Sequence, residues 1–181
     1  MFDIELDADE LEEVLRRFPQ VERMVDRRLR AAMERMLAYL HQKAVRITHE
    51  KDLINSGTYV GSLETKIRGW GRGVMMRGQV GPTAAHGEVV ERGRRPGKWP
   101  PPGPIELWVR RKLGINNDAQ VRAVGFLVAR AIATKGTIAR FGYEGGKVLE
   151  ETAEQGERRV QNMWRGEVQD LGREIVNHLR V

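Results

Sequence analysis

Histidines and clustered carboxylates are the residues of this chain that could do chemistry, but their spacing predicts no catalytic or metal site. His41 and His49 fall two helical turns apart, without a third ligand spaced nearby, whereas a metal site needs three or four converging ligands. Glu150, Glu151 and Glu154 fall in the first turns of a predicted helix, where acids suit the helix dipole. Because the chain has no cysteine, thiolate catalysis, disulfides and cysteine-ligated zinc are excluded.

One segment, from Gly142 to Lys147, superficially resembles a phosphate-binding loop. Its first glycine is misplaced, and Val148 stands where such a loop needs Ser or Thr to hold magnesium. Ser56 and Ser62 lack the strand-turn-helix context of a nucleophile elbow. The sequence therefore predicts no enzyme and no cofactor, with a hydrolase or nuclease as the least favoured alternative.

The most informative stretch runs from His86 to Gly114 and combines a basic turn, a Trp-Pro segment and a short amphipathic helix. Between Lys66 and Lys112 there are eleven Lys or Arg residues and three acids, in a chain whose net charge is +6. Such a basic centre could face nucleic acid or an acidic partner, although a solvated basic sheet face is equally compatible. The candidates for this contact are Lys66, Arg68, Arg72, Arg77 and Lys98.

Three tryptophans accompany the basic residues, and tryptophan beside arginine can stack on bases or anchor a protein interface. Trp70 lies at the end of a strand-like segment. Trp108 shares a helix side with Ile105 and Lys112, which favours a place in the core. Trp99 stands among prolines and is the better interface candidate. The predicted contact loop consists of Arg92, Arg94, Arg95, Pro96, Trp99 and Pro101.

Long helices are the elements that must position these residues. Apolar residues recur at three-four spacing from Gln20 to about Ile47 and again from about Gly146 to His178, which predicts two amphipathic helices. Glycines inside the second helix weaken it by roughly 1 kcal/mol each relative to alanine. Shorter helices are predicted for residues 9–18, 104–113 and 118–135.

Strand-like segments lie between the helices. Leu63 to Trp70 and Val74 to Val80 are joined by a predicted hairpin turn at Gly71-Arg72-Gly73, and Glu88 to Glu91 is predicted as a third, short strand. The fold class is therefore α+β, with a small antiparallel sheet packed with long N- and C-terminal amphipathic helices. We expect N-terminal helices in residues 1–50, a central region in residues 51–142 and a C-terminal helix in residues 143–181.

Hydropathy and the N-terminal charges argue against a membrane or export signal. No run approaches the roughly 18 apolar residues of a membrane helix. The chain opens with acids at Asp3, Glu5 and Asp7, unlike a signal or transit peptide. We expect no membrane partner and a reducing interior such as a bacterial cytoplasm.

Three motifs follow one another between about Asn55 and Phe141. The first is the turn Asn55-Ser56-Gly57, which precedes a predicted strand. The second is Val-Glu-Arg-Gly-Arg-Arg-Pro at residues 90–96, followed by Trp-Pro-Pro at 99–101. The third is a predicted helix at residues 105–114, which ends in glycine. This order resembles the minor-tail and tail-completion proteins of long-tailed phages, the group that includes the lambda Z-type proteins. The chain departs from that pattern where Ala85-His86 replaces a Tyr-Ala pair and Phe141-Gly142-Tyr143 replaces a Phe-Phe-Pro cluster.

The resemblance implies a structural protein of the virion neck or tail, assembled in the host cytoplasm. Such proteins act between the capsid portal complex and the tail tube as rings, commonly sixfold, without catalysis. The implied partners are further copies of the chain, other neck and tail proteins, and DNA passing through the channel. A tail-terminator and a tail-completion role both remain open. The alternative is a basic nucleic-acid-binding module without catalysis.

Overall fold

The computed structural model describes residues 2–6, 19–69, 76–137 and 142–179. Within these ranges the chain forms three strands and six helices. The strands are β1 (Phe2–Leu6), β2 (Leu63–Arg68) and β3 (Met76–Pro82). The helices are α1 (Pro19–Glu50), α2 (Thr58–Gly61), α3 (Gly87–Arg92), α4 (Pro102–Leu113), α5 (Asp118–Lys135) and α6 (Val148–Leu179). The predicted α+β class and the two long terminal helices are confirmed.

The sheet is antiparallel, with β3 between β1 and β2. Phe2 pairs with Val80 on one side of β3, and Leu63 pairs with Pro82 on the other. The two strands expected from the alternating sequence are therefore present, as β2 and β3. The expected turn at Gly71-Arg72-Gly73 and the expected helix at 9–18 lie outside the described residues.

The prediction of a third strand at Glu88 to Glu91 is wrong, because this segment is the helix α3. Gly87 and Glu91 are its buried residues, and residues four apart lie on the same helix side. Gly93 ends the helix with φ 69°.

The sequence did not predict β1 as a neighbour of β3. Because β1 pairs with one edge of β3 and β2 with the other, both edges of β3 are paired.

The chain divides into two compact units. Unit 1 comprises Met1–Ile47, Leu63–Pro82 and Leu149–Val181, and unit 2 comprises Thr48–Ser62 and Thr83–Val148. Unit 1 thus holds the sheet together with most of α1 and α6. Unit 2 holds the short helices and the contact loop predicted from the sequence.

The core of unit 1 forms where the apolar stripe of α1 meets β3 and α6. Val25, Met33 and Leu40 of α1 are fully buried, in one cluster with Val80 and Val160. A side chain at Gly78 of β3 would lie 3.0 Å from a methyl group of Leu37. The glycine therefore lets the helix approach the sheet closely.

The core of unit 2 is smaller and is built by α4 and α5. Val109 and Val121 are fully buried. Asn117 begins α5 as its cap, and its side chain accepts hydrogen bonds from the amides of Ala119 and Gln120 at 3.1 Å, as Asn does at helix starts. Arg110 of α4 donates to the Asn116 carbonyl at 2.9 Å. This bond holds the connection between α4 and α5 at the residue before the Asn117 cap.

None of the helices in the described part of the chain combines the length and apolar character needed to cross a membrane.

Two valines in unit 1 allow a matched test of this core. Val25 is 0% exposed, whereas Val176 is 47% exposed. Val25→Ala should lower the free energy of unfolding by about 2 kcal/mol, because it removes buried methyl groups and leaves a cavity. Val176→Ala should change it by no more than about 0.5 kcal/mol. Urea unfolding of both variants measures the difference, and equal losses would contradict the assignment of the core.

Candidate interaction surface

Glu91 is the second residue of the motif in residues 90–96, and its side chain is buried. The buried hydroxyl group of Tyr59 donates a hydrogen bond to its carboxylate. Burial of the phenol, together with the neighbouring Glu91 charge, raises the pKa of Tyr59 above its ordinary value. Tyr59 therefore remains a hydrogen-bond donor at neutral pH. A buried carboxylate is costly unless it is hydrogen-bonded, so this contact stabilises the motif.

The loop at residues 143–147, which precedes α6, is hydrogen-bonded to the C-terminal end of α3. The amide of Gly146 and the hydroxyl of Tyr143 both donate to the Val90 carbonyl at 2.6 Å. The amide of Lys147 donates to the Glu91 carbonyl at 3.0 Å. These bonds satisfy carbonyls that a helix end leaves without intrahelical partners. Two amides of the segment that superficially resembled a phosphate loop, those of Gly146 and Lys147, are thus used within the chain.

Gly93 connects α3 to the contact loop in a conformation that favours glycine. Its φ is +69°, and a Cβ atom there would lie 2.9 Å from both the Thr137 hydroxyl and the Tyr143 carbonyl. A larger residue would be strained by the backbone and would also collide with these atoms. The glycine in the motif is therefore required by close packing of the chain on itself.

The contact loop is tied to the end of α5 at several points. The amide of Arg94 donates to the Thr137 hydroxyl at 2.7 Å, and the Thr137 amide donates to the Arg94 carbonyl at 2.8 Å. Further along, the Gly97 amide donates to the Ala133 carbonyl at 2.8 Å. The Arg94 guanidinium also closes the loop on itself by donating to the Lys98 carbonyl at 2.7 Å. The loop is therefore held by hydrogen bonds to Ala133 and Thr137 and by one bond within the loop.

Trp99 projects from this ordered loop and packs on Phe126 of α5. The ring centroids are 5.4 Å apart, and the rings are tilted by 33°, which lies within the range of favourable aromatic pairs. Both rings nevertheless remain exposed, Trp99 by 53% and Phe126 by 57%, and the adjacent Leu127 is 61% exposed. The interpretation of Trp99 as an interface residue fits this position. Trp108 is only partly buried, beside the fully buried Val109.

Basic side chains accompany the aromatic pair. Arg95 and Lys98 are exposed on the loop, and Arg130 is exposed on α5, one helical turn beyond Phe126. In the described part of the chain these three side chains form no ion pair within 4 Å. We call the set the Trp99–Phe126 surface; it consists of Trp99, Phe126, Leu127, Arg95, Lys98 and Arg130.

The remaining residues of the predicted contact loop are Arg92, Pro96 and Pro101. Arg92 ends α3 and lies 3.9 Å from the Glu88 carboxylate, with both side chains exposed. Pro96 lies against Gly136, where a Cβ atom would come within 3.0 Å of the proline ring. Pro101 is exposed and directly precedes α4.

The basic residues predicted to face DNA or an acidic partner do not all belong to one unit. Arg68 and Arg77 are register partners on neighbouring strands, so they share one face of the sheet with Lys66. Lys66 lies 3.7 Å from the Glu64 carboxylate. Lys98 belongs to unit 2, and Arg72 lies outside the described residues.

Unit 1 contains a charged cluster beside an open groove of about 350 Å³ between α1 and α6. Glu167 is buried and accepts hydrogen bonds from Arg28 at 2.7 Å and from Arg35 at 2.5 Å. The hydrogen bond to Glu167 raises the pKa of Arg28. The charge of Glu167 is thus compensated by two guanidinium groups, which suits a structural ion cluster linking the helices.

The ring of His41 makes a contact within the fold. His41 lies with its Nε2 atom 3.1 Å from the Leu63 carbonyl, so its ring links α1 to β2. Among the described residues, no group of three His, Asp or Glu side chains could hold a metal ion.

Sequence reasoning missed Phe126, Tyr59 and Tyr143. Phe126 and Leu127 lie off the apolar stripe that identifies α5, and large apolar residues outside a buried stripe are the signal that could have found them. The roles of Tyr59 and Tyr143 depend on contacts with residues 32 and 53 positions away in the chain. No local pattern in the sequence contains such contacts.

A scan against protein-family models and searches of curated proteins and of solved structures find no match to this chain. The resemblance to tail-completion proteins consequently rests on the motifs between residues 55 and 141.

Glu91 and Glu88 lie on the same short helix, so a change at the exposed Glu88 serves as the control for the same change at the buried Glu91. Glu91→Ala should destabilise the protein by about 1–3 kcal/mol, because it leaves the buried Tyr59 hydroxyl without its acceptor. Glu88→Ala should cost less than about 0.5 kcal/mol, since Glu88 is exposed. Chemical unfolding followed by circular dichroism measures both. An equally small effect of the two changes would contradict the structural role of Glu91.

The raised pKa of Tyr59 makes an alkaline dependence expected. The folded state favours the protonated phenol, so its contribution is complete below the unfolded pKa of about 10 and decreases as the pH rises above that value. Tyr59→Phe removes this titration. Its free energy of unfolding should therefore fall less steeply between about pH 9 and about pH 11. The same slope in both proteins would show that Tyr59 is not the titrating group.

Proposed function

We propose that this chain is a structural protein of a phage neck or tail, which joins or completes the tail at the head-tail interface as part of an oligomeric ring. The observation that carries the proposal is the exposed pair formed by Trp99, on a loop held by hydrogen bonds within the chain, and Phe126 of α5. This loop belongs to the motif that resembles tail-completion proteins.

A fixed loop with exposed aromatic and basic side chains suits assembly. Tryptophan and arginine are enriched among the residues that dominate binding energy. An ordered loop also loses little conformational entropy when a partner binds. Glu91 of the motif and its buried hydrogen-bond donor Tyr59 serve in this proposal to hold the loop in place, and the function requires no catalytic step.

The proposal includes location and partners. The protein is assembled into virions in the host cytoplasm and contacts further copies of itself in a ring, for which sixfold symmetry is expected from the resemblance. Other neck and tail proteins lie above and below that ring, and DNA passes through its channel. Both a tail-terminator and a tail-completion role fit these partners.

A nucleic-acid-binding module is the second candidate, and the charge of unit 2 favours it. Unit 2 contains 13 Lys or Arg residues and seven acids, so it carries a net charge of +6. Trp99 offers a ring on which a base could stack. This function requires measurable DNA affinity that falls steeply with salt, and absence of binding at low salt would exclude it.

Electron microscopy of lysates distinguishes the roles. In a phage or prophage that carries this gene, we expect deletion to leave full heads beside separate finished tails if the protein joins the two. Aberrantly long or missing tails would instead assign it to tail assembly or length termination. Normal joined virions would contradict the structural function and favour the DNA-binding module.

Trp99→Ala tests whether the exposed pair takes part in assembly. We expect fewer joined virions in complementation, whereas the isolated variant should lose only about 1 kcal/mol of stability, the worth of an aromatic pair. Val176→Ala, which changes an exposed apolar residue of unit 1, serves as the control and should complement fully. An unfolded Trp99→Ala monomer would show that Trp99 belongs to the core.

A further inference from the structure

The acidic residues of the chain are concentrated at its start. Seven of the 25 acids and none of the 31 Lys or Arg residues lie in residues 1–13, so residues 14–181 carry 31 basic and 18 acidic side chains, a net charge of +13. Residues 7–13 alone contribute five acids, with Leu11 among them and Val14 and Leu15 directly following. This segment is both acidic and apolar.

The Trp99–Phe126 surface has the complementary chemistry. Trp99, Phe126 and Leu127 are each more than half exposed, and exposed apolar groups that contact one another mark interaction sites on soluble proteins. Lys98 directly precedes Trp99, Arg130 lies one helical turn beyond Phe126, and Arg95 is exposed on the same loop as Trp99. Opposite charges that flank apolar contacts fix the partner and its register.

We propose that the Trp99–Phe126 surface binds the acidic segment 7–15 of a second copy of this chain. The proposal rests on the proposed ring and specifies its subunit contact. The two contacting regions belong to different parts of the sequence, so the contact is heterologous: each copy offers one surface and one segment. Heterologous contacts close into rings when the rotation between subunits allows it.

The charges predict how such a contact responds to salt. Exposed charges are screened over about 8 Å at physiological ionic strength and over about 3 Å at 1 M salt. Self-association should therefore weaken as salt is added, while the apolar contacts of Trp99 and Phe126 retain part of the affinity.

Complementary charge reversal tests the contact in the full-length protein. Sedimentation velocity over a range of concentrations measures self-association of the wild type. The surface variant Arg95→Glu/Arg130→Glu and the segment variant Glu10→Arg/Glu12→Arg should each raise the dissociation constant at least about tenfold, because like charges then face each other. A protein carrying all four changes should regain association, since the charges are again opposite.

Controls distinguish the loss of this contact from unfolding of the variant and from a general effect of its changed net charge. Arg158→Glu reverses an exposed arginine on α6 and should leave association unchanged. Circular dichroism and urea unfolding should show that all variants remain folded. A wild type that is monomeric at every concentration, reversal variants that associate normally, or four changes that fail to restore association would each overturn the proposal.

A failure of this contact and a failure of the proposed virion function give different results. If the reversal variants associate normally while deletion lysates contain unjoined heads and tails, the interface is wrong and the function stands. If charge reversal abolishes and restores association while deletion lysates contain normal virions, the interface stands and the function is wrong.

Discussion

The buried hydrogen bond between Tyr59 and Glu91 is the interaction on which unit 2 depends. It places a carboxylate inside a small core, where it would be costly without a donor. Around it, Val90 and Glu91 offer their carbonyls to the loop at residues 143–147, and Gly93 turns the chain toward α5. Hydrogen bonds at the end of α3 therefore hold the start of the contact loop, and bonds to Thr137 and Ala133 hold its later residues.

This arrangement explains why the motif in residues 90–96 combines residues of such different kinds. Glu91 is an internal acceptor, and Gly93 allows a backbone conformation and a close approach that a side chain would prevent. The arginines that follow are divided between two tasks. Arg94 closes the loop through the Lys98 carbonyl, whereas Arg95 is exposed to solvent on the same loop as Trp99.

The elements that could be predicted from the sequence are those with a long, regular pattern. The apolar stripe from Val21 to Ile47 is buried as expected, because a 32-residue amphipathic helix repeats its signal many times. The segment 88–91 offered only two adjacent valines, too few to distinguish a strand from a helix. The burial of Glu91 and the exposure of Phe126 follow from tertiary contacts, so neither could be read from local spacing. Trp99 could be proposed as an interface residue because prolines around it exclude a helix or a central strand, and its side chain is exposed.

The decisive property of the contact loop is that it is ordered before any partner binds. Amide hydrogen exchange measured by nuclear magnetic resonance at Gly97, Thr137 and Gly146 reports this directly, since each amide donates to a backbone carbonyl in the folded chain. We expect these amides to exchange far more slowly than in an unstructured peptide, in the range of the buried amides of α5. Exchange at the rate of an unstructured peptide would show that the loop is not fixed by these bonds and would contradict its role as a preorganised contact surface.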